Sequence, residues 1–336
     1  MEFDSTSLYL HKRGMHFFIV GLFILQLSLN LQAGAVEGVN GQRRDDGGVT
    51  LTGENCDLLK RQSLAFSLWK TNLQEKPGKT PTDCTCDSLR CYMEIDPIVP
   101  EFVAKYLSVD VGRWGPNCWN TALVAAKILP VLRFTPPEEM NFWMTSPLCQ
   151  AVPEDETPAP GDIAAIRNSE QTEVHAYTFI TDELSFTKNY LTTMAPYKLQ
   201  STPDIFAIFP VPFSCRHRSG NPSDCPSYII YYRCTSFSQF ILNQKIILPT
   251  RYSEIDPLVL EQEKRVSRIA FEWKLNPPLQ KTAPLALKDA QQKIKAVQSE
   301  VILRANDKST PEHERLLWNG LKFRIKGLLQ TIDWVD

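Results

Sequence analysis

Two side chains carry the candidate chemistry of this chain, a thiol at Cys118 and an imidazole at His175. Asn117-Cys118-Trp119-Asn120 opens an apolar segment, residues 118–129, that reads as a buried helix ended by Pro130. A thiol in the first turn of a helix feels the positive end of the helix dipole, which favours the thiolate and lowers its pKa. The unsatisfied amides of that turn can also hold a developing oxyanion. His175 lies in Val174-His175-Ala176-Tyr177-Thr178-Phe179-Ile180, a core-strand pattern. From such a strand it could take the thiol proton and return it to a leaving amine. Each residue also has a plainer reading. Cys118 could be bridged or buried as a small core residue, and His175 could be a hydrogen-bonded core histidine.

A third polar group should orient the imidazole. Thr181-Asp182-Glu183 reads as a hairpin turn, followed by Leu184-Ser185-Phe186-Thr187-Lys188-Asn189. If 180 pairs with 184, Asn189 sits across from His175 on the same sheet face. Thr187 shares that face and Lys188 points away. Asn189 could equally do no more than end the strand. Trp114 and Trp119 are candidate walls of a substrate cleft, and each could instead be core.

The nine cysteines are Cys56, Cys84, Cys86, Cys91, Cys118, Cys149, Cys215, Cys225 and Cys234. An odd number cannot pair completely within one chain, so at least one thiol is left over. Eight structural cysteines and one reactive thiol fit that count, with the pairing itself undetermined. Cys84-Thr-Cys86 lacks Cys-x-x-Cys spacing and a nearby histidine, so no metal site and no cofactor is expected.

The elements around these residues set the fold class. Residues 1–35 read as a secretory signal: Lys12 and Arg13, an apolar run from Phe17 to Leu31, then Ala33-Gly34-Ala35. Residues 36–53 read as a flexible polar leader. A helix is expected over 54–70, a cysteine-rich loop over 71–91, and helix starts at Asp96-Pro97, Asp256-Pro257 and Thr310-Pro311. Strand-like runs follow at 162–166, 174–180, 184–189, 204–209, 228–234 and 240–247. One helix followed by a run of strands is an α+β pattern with a largely antiparallel sheet. Three amphipathic stripes after 250 predict a helical extension over 250–336. The catalytic domain is expected over 54–249.

Three segments in this order resemble a known family. They are Asn117-Cys118-Trp119-Asn120-Thr121-Ala122-Leu123, Pro160-Gly161-Asp162-Ile163-Ala164-Ala165-Ile166 and His175-Ala176-Tyr177-Thr178-Phe179-Ile180. They look like the signature segments of NlpC-type papain-like cysteine peptidases. The resemblance covers about residues 100–210. It implies a papain-like core, a nucleophile at Cys118, a base at His175 and a polar third residue, best matched by Asn189. It also implies a bacterial cell-wall substrate, a peptide or peptidoglycan. The family usually has Asp-Cys-Ser-Gly at the nucleophile, so Trp119 replaces a small residue here. The family's usual third position falls on Thr187.

Charge and hydropathy narrow the partners. Lys+Arg is 36 and Asp+Glu is 38, a net charge of −2 with no basic footprint for nucleic acid. After signal cleavage no stretch is long enough to hold a membrane, so a periplasmic or secreted protein is expected. The expected activity is cleavage of an amide bond by a Cys-His-polar triad. The alternatives are a non-catalytic, disulfide-stapled exported binding protein, or a thiol acyltransferase of the same fold.

Overall fold

The computed structural model describes residues 38–109, 115–189, 195–220, 222–273 and 276–335. The secretory-signal segment 1–35 and Trp114 lie outside the described residues. The fold is α+β. Ten strands form one antiparallel sheet: β1 (Asn40–Arg43), β2 (Val49–Gly53), β3 (Thr85–Cys86), β4 (Cys91–Glu94), β5 (Cys149–Ala151), β6 (Ile163–Asn168), β7 (Glu173–Phe179), β8 (Leu184–Thr187), β9 (Lys198–Ser201) and β10 (Ser227–Cys234). Their order is β3-β4-β2-β1-β9-β8-β7-β6-β10-β5. Nine helices are present among the described residues: α1 (Cys56–Asn72), α2 (Glu101–Tyr106), α3 (Cys118–Ala125), α4 (Pro137–Met144), α5 (Thr202–Ile208), α6 (Phe237–Asn243), α7 (Thr250–Glu272), α8 (Pro277–Asn306) and α9 (Glu312–Val335). No helix among the described residues is long and apolar enough to cross a membrane.

Four expectations are corrected. The leader over 36–53 contains β1 and β2, because Val49 and Leu51 alternate into the core and Gly41 pairs with Leu199 of β9. The strand-like run 204–209 belongs to helix α5, which Pro203 starts and Pro210 follows. The run 240–247 begins inside helix α6, whose cap Ser236 accepts from the Gln239 amide. Both runs are short and rich in Ile and Phe, a pattern that periodicity cannot assign to strand or helix. Asp256-Pro257 does not start a helix either: α7 begins at Thr250 and carries Pro257 inside it.

Helix α3 packs on β7 and contributes to two apolar clusters. Ala122 and Leu123 join the cluster built on β6, β7 and β10, and Ala125 joins the one around α1, β2 and β8. Helices α7, α8 and α9 form a third cluster of their own. A buried ion network ties them to the sheet domain. The Arg133 guanidinium donates to both Glu139 oxygens at 2.7 Å and to Glu263 of α7 at 2.9 Å. Arg324 of α9 donates to Glu263 at 2.6 Å and pairs with Asp256. Residues 38–335 accordingly form one compact unit, with the helical extension docked rather than separate.

Candidate active site

The local sequence builds the helix start tightly. Asn117 is the N-cap of α3, its Oδ1 accepting from the Asn120 amide at 3.1 Å and the Thr135 amide at 3.3 Å. Its Nδ2 donates to the Thr135 carbonyl at 2.8 Å. Asn120 is fully buried. It donates to Thr135 Oγ1 at 3.0 Å and accepts from the Arg133 amide at 3.1 Å. Both asparagines therefore pin the 131–135 loop against α3, leaving Cys118 between them in the first turn.

Eight cysteines pair as Cys56–Cys84, Cys86–Cys91, Cys149–Cys234 and Cys215–Cys225. Cys118 is the free one, and it is buried. Burial pushes its thiol up to about 11. The backbone N–H groups of Ala176, Trp119 and Cys118 and the charge of Lys188 all favour the thiolate but do not offset burial. This corrects the expectation of a lowered pKa: the helix dipole is present, and desolvation outweighs it.

His175 is fully buried, and its ring stacks flat on Phe209 at 4.1 Å between centroids. Desolvation alone pushes it down to about 3. Its Nε2 lies 3.1 Å from Thr187 Oγ1, and that hydroxyl donates to Asn189 Oδ1 at 3.4 Å. The Asn189 amide in turn donates to Gln200 at 3.2 Å. A hydroxyl that gives its one proton to Asn189 accepts from Nε2–H, which leaves the lone pair on Nδ1. Nδ1 is buried with no hydrogen-bond partner among the described residues.

The sequence-derived register holds, since Thr178 pairs with Phe186 and Phe179 with Ser185. Thr187 touches the imidazole and Asn189 acts on it only through Thr187. Asn189 lies past the end of β8, beyond the positions paired with β7, and donates to Gln200 of β9. The amide N–H of Ala176, next to His175, acts on the Cys118 thiol, which places the thiol beside the β7 backbone at that residue. No hydrogen bond joins Cys118 to His175 among the described residues. Trp119 is half-buried and packs on the α3 core, with its indole N–H buried and without a hydrogen-bond partner among the described residues.

Two residues of this site escaped the sequence. Phe209 lay in a run read as a strand, so its ring had no assigned direction. Gln200 is an internal polar residue of β9 with no motif around it. The Pro-Gly-Asp segment is a structural turn. Gly161 has φ +100°, and Asp162 accepts from the Ala159 amide at 2.7 Å and pairs with Arg233 at 3.1 Å. Comparison with known proteins finds no matching family model, no matching curated protein and no matching solved structure.

Proposed function

We propose that the chain is an exported cysteine hydrolase of papain-like build that cleaves an amide bond, with peptidoglycan stem peptides as its substrate class. One observation carries the reading. The single unpaired cysteine of the nine stands at the start of the buried helix α3, beside the strand residue that follows His175. Four disulfides support export to the periplasm or beyond the cell, where thiols stay oxidised.

The free site rests as neutral thiol and neutral imidazole. On binding, the substrate carbonyl lies at the α3 N-terminus, whose amides polarise its oxygen. The Cys118 proton passes to His175 Nδ1, and Sγ bonds to the carbonyl carbon. Collapse of the tetrahedral intermediate breaks the C–N bond as Nδ1–H protonates the leaving amine. Water then attacks the thioester, giving a carboxylic acid and the free thiol. Thr187 holds Nε2–H throughout.

The test is hydrolysis of isolated stem peptides and whole peptidoglycan, followed by mass spectrometry. Cys118→Ala and Cys118→Ser should each lose at least about a thousandfold in kcat/KM. Full activity in either variant removes the mechanism, and a folded wild-type protein inert on the whole panel removes the substrate class. Product analysis with an added amine acceptor separates hydrolysis from acyl transfer.

A second reading, a disulfide-stapled binding protein with an inert thiol, is favoured by the burial of both groups and their opposite pKa shifts. A peptide carrying an electrophilic carbonyl surrogate separates the two. Under the hydrolase reading it labels native Cys118 faster than it labels the denatured chain. Under the second it labels only the denatured chain.

A further inference from the structure

Cys56, Cys84, Cys86 and Cys91 place all four sulfur atoms within 4.8 Å of one another. Two disulfides, Cys56–Cys84 and Cys86–Cys91, lie side by side, with Cys56 Sγ only 3.5 Å from Cys86 Sγ. We propose that these four cysteines form a second, redox-gated site: two disulfides when oxidised, and a tetrathiolate site for a soft divalent cation of the zinc type when reduced.

Size is the first argument. A tetrahedral Zn–S distance of about 2.3 Å gives a sulfur–sulfur edge of about 3.8 Å. The Cys56–Cys86 edge is already near that value, and no edge exceeds it by more than about 1 Å. Reduction only has to let the two bonded pairs relax apart.

Preorganisation is the second argument, because regular backbone structure holds Cys56, Cys86 and Cys91 without the S–S bonds. Cys56 is in the first turn of α1, capped by Asn55, whose side chain accepts from the Leu58 amide at 2.8 Å. Cys91 is paired with Gly53 of β2 and with Cys86 of β3. The 87–90 turn between them is closed by Asp87, which accepts from the Leu89 and Arg90 amides at 2.7 and 2.8 Å. The α1 N-terminus also favours the negative charge that a tetrathiolate carries.

Access is the third argument. Cys86 is exposed and Cys56 and Cys84 are half-buried, so a small dithiol can reach them. In another part of the sheet domain Cys149, Cys215 and Cys225 are buried and Cys234 is half-buried.

The chemistry balances. Each disulfide takes two electrons and two protons from a dithiol, which leaves as its own disulfide. Four cysteine thiols result, and binding one divalent cation releases four protons. Oxidation by a disulfide or oxygen returns the bridged form and expels the metal.

The experiment uses the full chain. It is reduced with graded dithiothreitol under nitrogen, freed of reductant by anaerobic gel filtration, and loaded with zinc or cobalt. The expected result is one zinc per chain by elemental analysis. The cobalt form should show intense tetrathiolate absorption, and Cys56, Cys84, Cys86 and Cys91 should be protected from alkylation in peptide maps. A Cys86→Ser/Cys91→Ser variant should lose the tetrathiolate spectrum. Wild-type uptake no greater than that of this variant overturns the proposal. So does protection elsewhere, or loss of the circular-dichroism signal on reduction in the presence of excess zinc.

Discussion

The Cys118 thiol and the His175 imidazole are held in their neutral forms by the same cause, loss of water. Alkylation of Cys118 by iodoacetamide in the free protein should therefore lag a peptide thiol at pH 8, and its rate should keep rising toward about pH 11. A rate that levels off below pH 7 would mean a preformed thiolate. His175 acts on stability in the opposite pH range. An unfolded histidine protonates near its ordinary value of about 6.5, whereas the buried one resists until about 3. The unfolded chain thus takes up a proton that the folded chain refuses. Stability from this group is complete above the unfolded value and falls as pH drops toward 3. Urea midpoints at pH 7 and pH 4.5 should drop less in His175→Gln than in wild type. Thr187→Val leaves Nε2–H without its acceptor, so kcat should fall by about tenfold to a hundredfold with KM little changed. Asn189→Ala, one bond further away, should cost less.

Helix α9 lies close to the sheet domain because it has no side chain where the two touch. A Cβ at Gly327 would stand 2.3 Å from an Arg133 guanidinium nitrogen and 2.6 Å from the Phe134 carbonyl oxygen. Alanine is the better helix former, but Arg133 is locked between two carboxylates and cannot yield. Gly327→Ala should destabilise by about 1–3 kcal/mol, read as a lower urea midpoint. Arg133 itself is fully buried, and its removal leaves Glu139 and Glu263 short of a partner. Arg133→Ala should cost about 3–5 kcal/mol. If that change left the urea midpoint where it was, the network would not be what joins α7 to the sheet domain.

At the scale of the whole chain, the Cys149–Cys234 bond closes the longest loop, 85 residues, and also joins paired positions of β5 and β10. Constraint of the unfolded chain by a loop of this size is worth about 4 kcal/mol. Cys149→Ala/Cys234→Ala should lower the thermal midpoint by more than loss of the short Cys215–Cys225 loop, measured by calorimetry on the two double variants. The loop spans β6, β7 and β8, so this bond also steadies the strand that carries His175.

Much of this architecture was legible because local rules govern it. Asn117 before an apolar run marked the start of α3, the 181–183 turn set the β7–β8 register, and an odd cysteine count announced a free thiol. The α+β order and the helical extension followed from periodicity alone. Other features were decided only when distant segments met. Phe209 covers His175 because a run that could have been a strand folded as a helix. Thr187 rather than Asn189 meets the ring, because β8 ends at Thr187 and Asn189, past it, bonds Gln200 of another strand. The protonation of the thiol and the imidazole depends on how much water each retains. Desolvation is a sum over all neighbours in space, and no spacing along the chain encodes it.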